Sequence, residues 1–250
     1  MTDAALPRRR RGRVIGWVLG GLALLIVVLL VVADIGGRAF AENRAEQELQ
    51  SRLPSGSSPA EVSIGGFSFL QQLLAGQFDR VDVSVAELVI AETSVGADLT
   101  GFGVPLDQSQ PVRELTGQFT IDEAALNAAL QARGFTGPIT LGEQQATYTT
   151  DVELFGQTVD LLVTLVPELE GDVVRLVPTS IESPDAGTSV ALDQFLDPER
   201  LAIPFCVAEV LPEGVQVTGI EISGGVVRLD AEASDFPLNA AALSTTGSCG

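Results

Sequence analysis

The chain has no histidine and no lysine, and among its 250 residues there are two cysteines, one methionine, one tryptophan and one tyrosine. Each absence removes chemistry. Without histidine there is no Ser-His-Asp or Cys-His catalytic arrangement and no imidazole proton shuttle. Without histidine, and with only two cysteines, zinc sites of the usual N/S type cannot be assembled, and no metal or other cofactor is expected. Without lysine there is no Schiff-base chemistry and no GxxxxGK[ST] phosphate loop. Carboxylate chemistry, as in glycoside hydrolysis, is the one catalytic class left open. Acidic pairs such as Asp122-Glu123 exist, but in so acidic a chain they read as solvated surface, and no enzyme is expected.

Basic charge is scarce and unevenly placed. Five of the 14 arginines (Arg8, Arg9, Arg10, Arg11 and Arg13) stand before the first long apolar run, and from Asp34 onward 9 basic face 32 acidic residues, a net of −23. Such a surface is repelled by nucleic acid and by anionic headgroups, so no nucleic-acid partner is expected. Any lipid handling must rest on apolar burial.

The apolar run itself is Val14 to Ala33, twenty residues without a charge. As a helix it is about 30 Å long, the thickness of a bilayer's hydrocarbon core. The arginines before it and Asp34 after it orient it, with residues 1–13 as a cytoplasmic tail, 14–33 as a transmembrane anchor and the remainder outside. A cleaved signal peptide is the competing reading: its apolar region is about 7–15 residues, shorter than this one, but Ala39-Phe40-Ala41 supplies an A-x-A pattern. Both readings place the rest of the chain outside the cytoplasm. There, an even cysteine count favours a bond between Cys206 and Cys249, with two unpaired thiols as the alternative.

Residues 34–60 read as a juxtamembrane helix and linker. Phe40, Ala41, Ala45, Leu49 and Leu53 fall on one helical face, and Arg44 and Glu48 are spaced for an i,i+4 ion pair. Pro54 and Ser55-Gly56-Ser57-Ser58-Pro59 stop the helix. Residues 61–250 then form one extracytoplasmic domain. Phe67, Leu70, Leu73 and Leu74 make an apolar face on a short helix that Gly76 can end. Val81, Val83 and Val85 alternate with polar or small residues, as in a half-buried strand. Strand-like stretches follow at 97–102 and 112–119. Thr120 and Glu123 suggest a capping box for a helix over 120–134. Alternation returns in Tyr148–Leu154, Val159–Leu165 and Val173–Ile181, and again around Gly224-Gly225, so these segments read as antiparallel meanders. Between them, 193–210 has short helical character. The fold class is α+β, and its strands have one apolar and one polar face.

Three features resemble a known family. They are the anchor followed by a polar helix, Ile64-Gly65-Gly66-Phe67-Ser68-Phe69-Leu70-Gln71-Gln72-Leu73-Leu74-Ala75-Gly76 running into Val81-Asp82-Val83, and Leu211-Pro212-Glu213-Gly214-Val215 leading to Ile220-Glu221-Ile222. Together they resemble the actinobacterial LmeA family of extracytoplasmic phospholipid-binding proteins over about residues 36–240, although Ser68 stands where a proline is usual. The resemblance implies a tubular lipid-binding-like fold, a long curved antiparallel sheet wrapped around a helix with an apolar groove. It also implies a protein that holds or passes a phospholipid or glycolipid in the cell envelope. Phe67, Phe69, Leu70, Leu73, Leu74, Phe78, Val81, Val83 and Val85 are the candidate lining, although each is equally of the type that fills an ordinary core. Arg80 and Arg113 are candidates to meet a phosphate, or are solvated. A non-catalytic scaffold or sensor domain without a lipid is the alternative function.

Overall fold

A computed structural model describes residues 11–249 apart from 91, 108, 133, 155–156, 184–187 and 192–201. Arg8, Arg9 and Arg10 of the expected tail, and residues 193–201 of the stretch expected to have helical character, lie outside the described residues. The first helix, α1 (Arg11–Arg52), runs unbroken through the apolar segment and the polar one that follows. Its first half leaves leucines and valines from Leu24 to Val32 exposed. Among the described residues it is the one helix long and apolar enough to cross a membrane.

Among the described residues, twelve strands form two antiparallel sheets. The first contains β1 (Ala60–Gly65), β2 (Gln77–Ile90), β3 (Thr93–Pro105), β4 (Val112–Asp122), β11 (Gln216–Ser223) and β12 (Val226–Phe236), in the order β1-β2-β3-β4-β12-β11. The second contains β5 (Ile139–Leu141), β6 (Ala146–Leu154), β7 (Gln157–Glu170), β8 (Val173–Ser183), β9 (Thr188–Ala191) and β10 (Ile203–Cys206). Its order is β10-β8-β7-β6-β5, with β9 also on β8. The expected α+β class is present, but the strands are divided between two sheets rather than gathered in one, and no curled or closed sheet is found among the described residues. Helix α3 (Glu123–Ala132) packs Leu126 and Leu130 on a small core of Ile139, Leu141, Ala146 and Ile222, which joins the sheets.

The register of the first sheet explains its two faces, because residues directly opposite in an antiparallel ladder point to the same side. One side carries the rows Ile64–Val81–Gly101–Leu115–Ala233 and Val62–Val83–Leu99–Gly117–Ala231–Val217. A third row there is Ala60–Val85–Ala97–Phe119–Leu229–Ile220. The other side carries Ser84–Asp98–Gln118–Asp230 and Asp82–Thr100–Thr116–Glu232. On that side Ser84 donates to Asp98 at 2.6 Å, Thr100 to Asp82 at 2.7 Å and Gln118 to Asp230 at 2.9 Å.

An edge strand exposes unpaired N–H groups that must find partners. Here α1 supplies them. Glu42 Oε1 accepts from the Ile64 amide at 2.8 Å and Glu46 Oε1 from the Val62 amide at 3.2 Å, while Arg38 donates to the Gly66 carbonyl at 3.0 Å. Four helical residues rise about 6 Å and two strand residues about 6.7 Å, so side chains at every fourth helix position keep step with alternate strand amides. The polar half of α1 is therefore the side wall of the sheet. Phe40 faces away, 74% exposed, and Glu48 pairs with Arg52 at 2.7 Å instead of the expected Arg44.

The capping box is also corrected. Thr120 is held in β4 opposite Gly96 and Arg228, so it cannot cap. Asp122 caps α3 by accepting from the Ala125 amide at 2.7 Å, and Glu123 reaches across to the Leu141 amide at 2.8 Å.

Replacing both Glu42 and Glu46 by alanine leaves two edge amides without partners, and each stranded N–H costs about 1–3 kcal/mol if water does not replace the carboxylate. Hydrogen exchange at Val62 and Ile64 should then quicken well ahead of exchange at the sheet-centre residue Leu99; unchanged exchange would show that the helix does not guard the edge.

Candidate functional site

The rows of the apolar face are not equally covered. Val62, Val85, Ala97 and Ala231 are buried, but Val83, Leu99, Leu115, Phe119 and Leu229 in the same rows are only half-buried. Above Leu99, Leu115, Gly117 and Phe119 lies an open apolar cavity of about 140 Å³, smaller than the ~300–1,000 Å³ usual for drug-sized ligands. Ala231, Ala233 and Phe236 of β12 complete its floor, and Leu211, Pro212 and Val215 form a wall with Leu243 of helix α4 (Ala240–Ser244). A glycine inside a strand marks a close approach or a bend. Gly117 fits this description, since a Cβ there would stand 3.0 Å from Leu99 and 3.2 Å from the Phe119 ring.

The wall is built from the end of the chain. The Glu213 amide donates to the Thr245 carbonyl at 2.8 Å and the Gly247 amide to the Leu211 carbonyl at 3.1 Å. Cys206 and Cys249 are joined, which ties this tail to the end of β10. The closed loop contains the whole wall together with β11 and β12.

The candidate lining residues divide into two groups. Val81, Val83 and Val85 stand on the apolar face, beside Gly101, Leu99 and Ala97, but none of the nine candidates is in the cavity's lining. Phe69 is buried and stacks on Phe78, ring centroids 5.8 Å apart. Phe67, Leu73 and Leu74 are exposed, on or just before helix α2 (Phe69–Ala75), and Leu70 is half-buried against α1. Leu99, Leu115, Phe119, Phe236 and Leu243 were not singled out from sequence. The alternation Leu115-x-Gly117-x-Phe119, with its central glycine, is the signal that marks the strand among them. Of the quoted family stretches, Leu211-Pro212-Glu213-Gly214-Val215 does reach the cavity.

Neither arginine candidate lies in this cavity's lining. Arg80 is on the polar side of β2, bound to Asp82 at 2.7 Å and over the Phe102 ring at 5.7 Å. Hydrogen bonding to Arg80 holds the Asp82 carboxyl below its ordinary pKa. Arg113 is exposed on β4 beside Gly103. Among the described residues no three cysteine, aspartate or glutamate side chains gather closely enough to hold a metal ion.

Compared with known protein families, the chain matches the LmeA-like phospholipid-binding family over residues 32–232. The chain belongs to that family. Neither the curated proteins nor the solved structures give a match. The matched span begins just before Asp34 and ends on β12, so in this LmeA-like protein it takes in the docked half of α1 and the whole floor strand set except the end of β12.

A second cluster lies where α2 meets α1. Ser68 caps α2, accepting from the Gln71 amide at 3.3 Å, and its hydroxyl donates to Asp34 at 2.7 Å. Asp34 Oδ1 also accepts from the Leu70 amide at 2.8 Å. That amide bond, then the Ser68 hydroxyl, hold the Asp34 carboxyl below its ordinary pKa. A carboxyl with a depressed folded-state pKa stabilises fully above its unfolded value, about 3.9, and that stabilisation is lost as pH falls towards the folded value.

Lowering the pH below about 4 should therefore release α2 from α1 ahead of the sheet, provided this carboxylate is the clasp. It would be read as faster exchange at Leu70 than at Leu99, and Asp34→Ala should show the same release at neutral pH. Equal protection of Leu70 in that variant would rule the clasp out. Cys206→Ser with Cys249→Ser should cost roughly 3–4 kcal/mol in the chain-entropy model and loosen Thr246 and Gly247 first. A tail that stays protected after reduction would show that backbone pairing alone holds the wall.

Proposed function

We propose that this protein is a membrane-anchored, extracytoplasmic lipid-binding protein of the cell envelope, which holds or passes a phospholipid or glycolipid without catalysing a reaction on it. The observation that carries the reading is the open apolar cavity on the first sheet, in a chain that belongs to a phospholipid-binding family. Its floor and wall are almost wholly hydrocarbon, which suits acyl chains and offers nothing to a polar ligand. Each buried acyl methylene contributes about 0.8 kcal/mol, so about ten would contribute about 8 kcal/mol before ordering costs. No charged clamp is required for affinity of that size.

The anchor belongs to the same reading. Val14–Ala33 spans the membrane with its arginines inside, and the domain stands outside, where a disulfide persists. Val81, Val83 and Val85 share the apolar face with the groove, and Phe67, Leu73 and Leu74 lie towards the membrane. The groove then takes the chains of one lipid, and the headgroup stays in solvent.

Native mass spectrometry of the full chain released in mild detergent should show a bound phospholipid. Val215→Trp, which pushes an indole into the cavity from its wall, should cut occupancy by roughly five- to a hundredfold, the equivalent of an overpacking cost of about 1–3 kcal/mol. Unchanged occupancy in that variant would remove the groove from the account. A chain that carries no lipid, even after incubation with phospholipid vesicles, would favour the scaffold reading.

A further inference from the structure

Helix α2 carries apolar residues on its outer side as well as its inner one. Its buried side carries Phe69 and Gln72, while Leu73 and Leu74 face out beside Phe67. Gln72 is 3% exposed and fully engaged: its amide donates to the Gly65 and Ser68 carbonyls at 3.0 and 3.2 Å, and its oxygen accepts from the Asp79 amide at 2.8 Å. Phe67 is 96% exposed and Leu74 90%. Single exposed apolar residues are ordinary, but a group on one short segment marks an interaction surface.

The position of this segment identifies what covers it. Phe67 and Leu70 share a hollow with Leu30, Val31 and Ile35 of α1. Asp34, the first charge after the apolar run, clasps Ser68 and the Leu70 amide. If Asp34 marks the outer edge of the hydrocarbon, Leu30 lies about 6 Å beneath it along the helix. Side chains that reach Leu30 are at that depth, which matches the ~5–10 Å burial of interfacial apolar segments. The net charge of −23 from Asp34 onward makes attraction to anionic headgroups an unsuitable means of holding the domain down. Apolar insertion is the contact that remains.

We propose that α2 and the Phe67 loop insert into the outer leaflet beside the anchor, as a second membrane contact pinned to α1 by Asp34. The proposal rests on the reading of α1 as a transmembrane anchor. It adds that the domain lies fixed on the bilayer and does not swing on a stalk. The end of the first sheet where β2 leaves α2 is then next to lipid. At that end the Leu106 amide donates to the Gly76 carbonyl at 2.9 Å, and Leu106 itself is exposed.

The test uses the full chain reconstituted in phosphatidylcholine vesicles, with fluorescence quenched from two sides. Trp17, the chain's single tryptophan, reports the anchor in the unaltered protein. Trp17→Phe with Phe67→Trp reports the loop, and Trp17→Phe with Gln50→Trp reports a point about 24 Å farther along α1 from Asp34. The indole at position 67 is expected to emit to the blue, to lose most of its emission to acyl-brominated phospholipid and to resist aqueous iodide. The indole at position 50 should do the reverse. If Trp17 is quenched by brominated lipid while the indole at 67 is quenched only by iodide, the insertion is overturned and the anchor stands; a protein partner would then be the better occupant. If Trp17 itself escapes brominated lipid, both readings fall.

Discussion

A six-stranded sheet with one face of valine, leucine, phenylalanine and alanine must keep that face from water, and the rest of this structure depends on how it does so. Neighbouring elements cover only part of it. The edge rows beside β1 and around Ala97 are buried, but the centre, at Leu99, Leu115 and Phe119, is roofed among the described residues by the Leu211–Val215 segment and the C-terminal tail. An uncovered apolar floor is costly in a monomer and useful in a lipid binder. On the proposed reading, a hydrocarbon ligand would complete the core that the described residues leave open.

Helix α1 and the first sheet are joined along one edge. Asp34, Arg38, Glu42 and Glu46 recur every fourth residue and engage, in turn, the N-terminus of α2, Gly66, Ile64 and Val62. The Asp34, Glu42 and Glu46 contacts are at half-buried sites, where a hydrogen bond to a charged group contributes more than a neutral one, and the Arg38 contact is exposed. They make α1 the guard of the sheet's edge. Removing the polar half of α1 along with the apolar half would open the sheet to pairing with other chains.

The elements that could be read from sequence were those whose signal is local. A charge-free run of helical length, the two-residue period of β2 and β7, and the left-handed stop at Gly76 (φ 77°) each needed only a few neighbouring residues. Sheet membership was hidden, because β4 and β12 pair across the whole second sheet and a bond such as Gln118–Asp230 leaves no trace in local periodicity. The face of α2 was hidden for another reason. Periodicity shows which residues share a side but not which side is inward, and here Gln72 wins the interior by satisfying three backbone groups at once. Thr120 had the right spacing for a cap, but cross-strand pairing claimed it first. For the candidate site, Val81, Val83 and Val85 share the apolar face of the first sheet with the cavity, but none of the nine candidates lines it. The cavity itself is an arrangement of β3, β4, β12 and the tail, and only the Leu211–Val215 stretch, met through family resemblance, pointed to it.

The most direct test of the groove is photocrosslinking of the full chain with a phospholipid that carries a diazirine midway along one acyl chain, followed by peptide mapping. Label concentrated on Leu99, Leu115 to Phe119 and Leu211 to Val215 would place the hydrocarbon on the apolar face of the first sheet, as this account predicts. Label confined to α1 and α2, with none on those strands, would contradict it and leave the protein as a domain that rests on the membrane without taking a lipid from it.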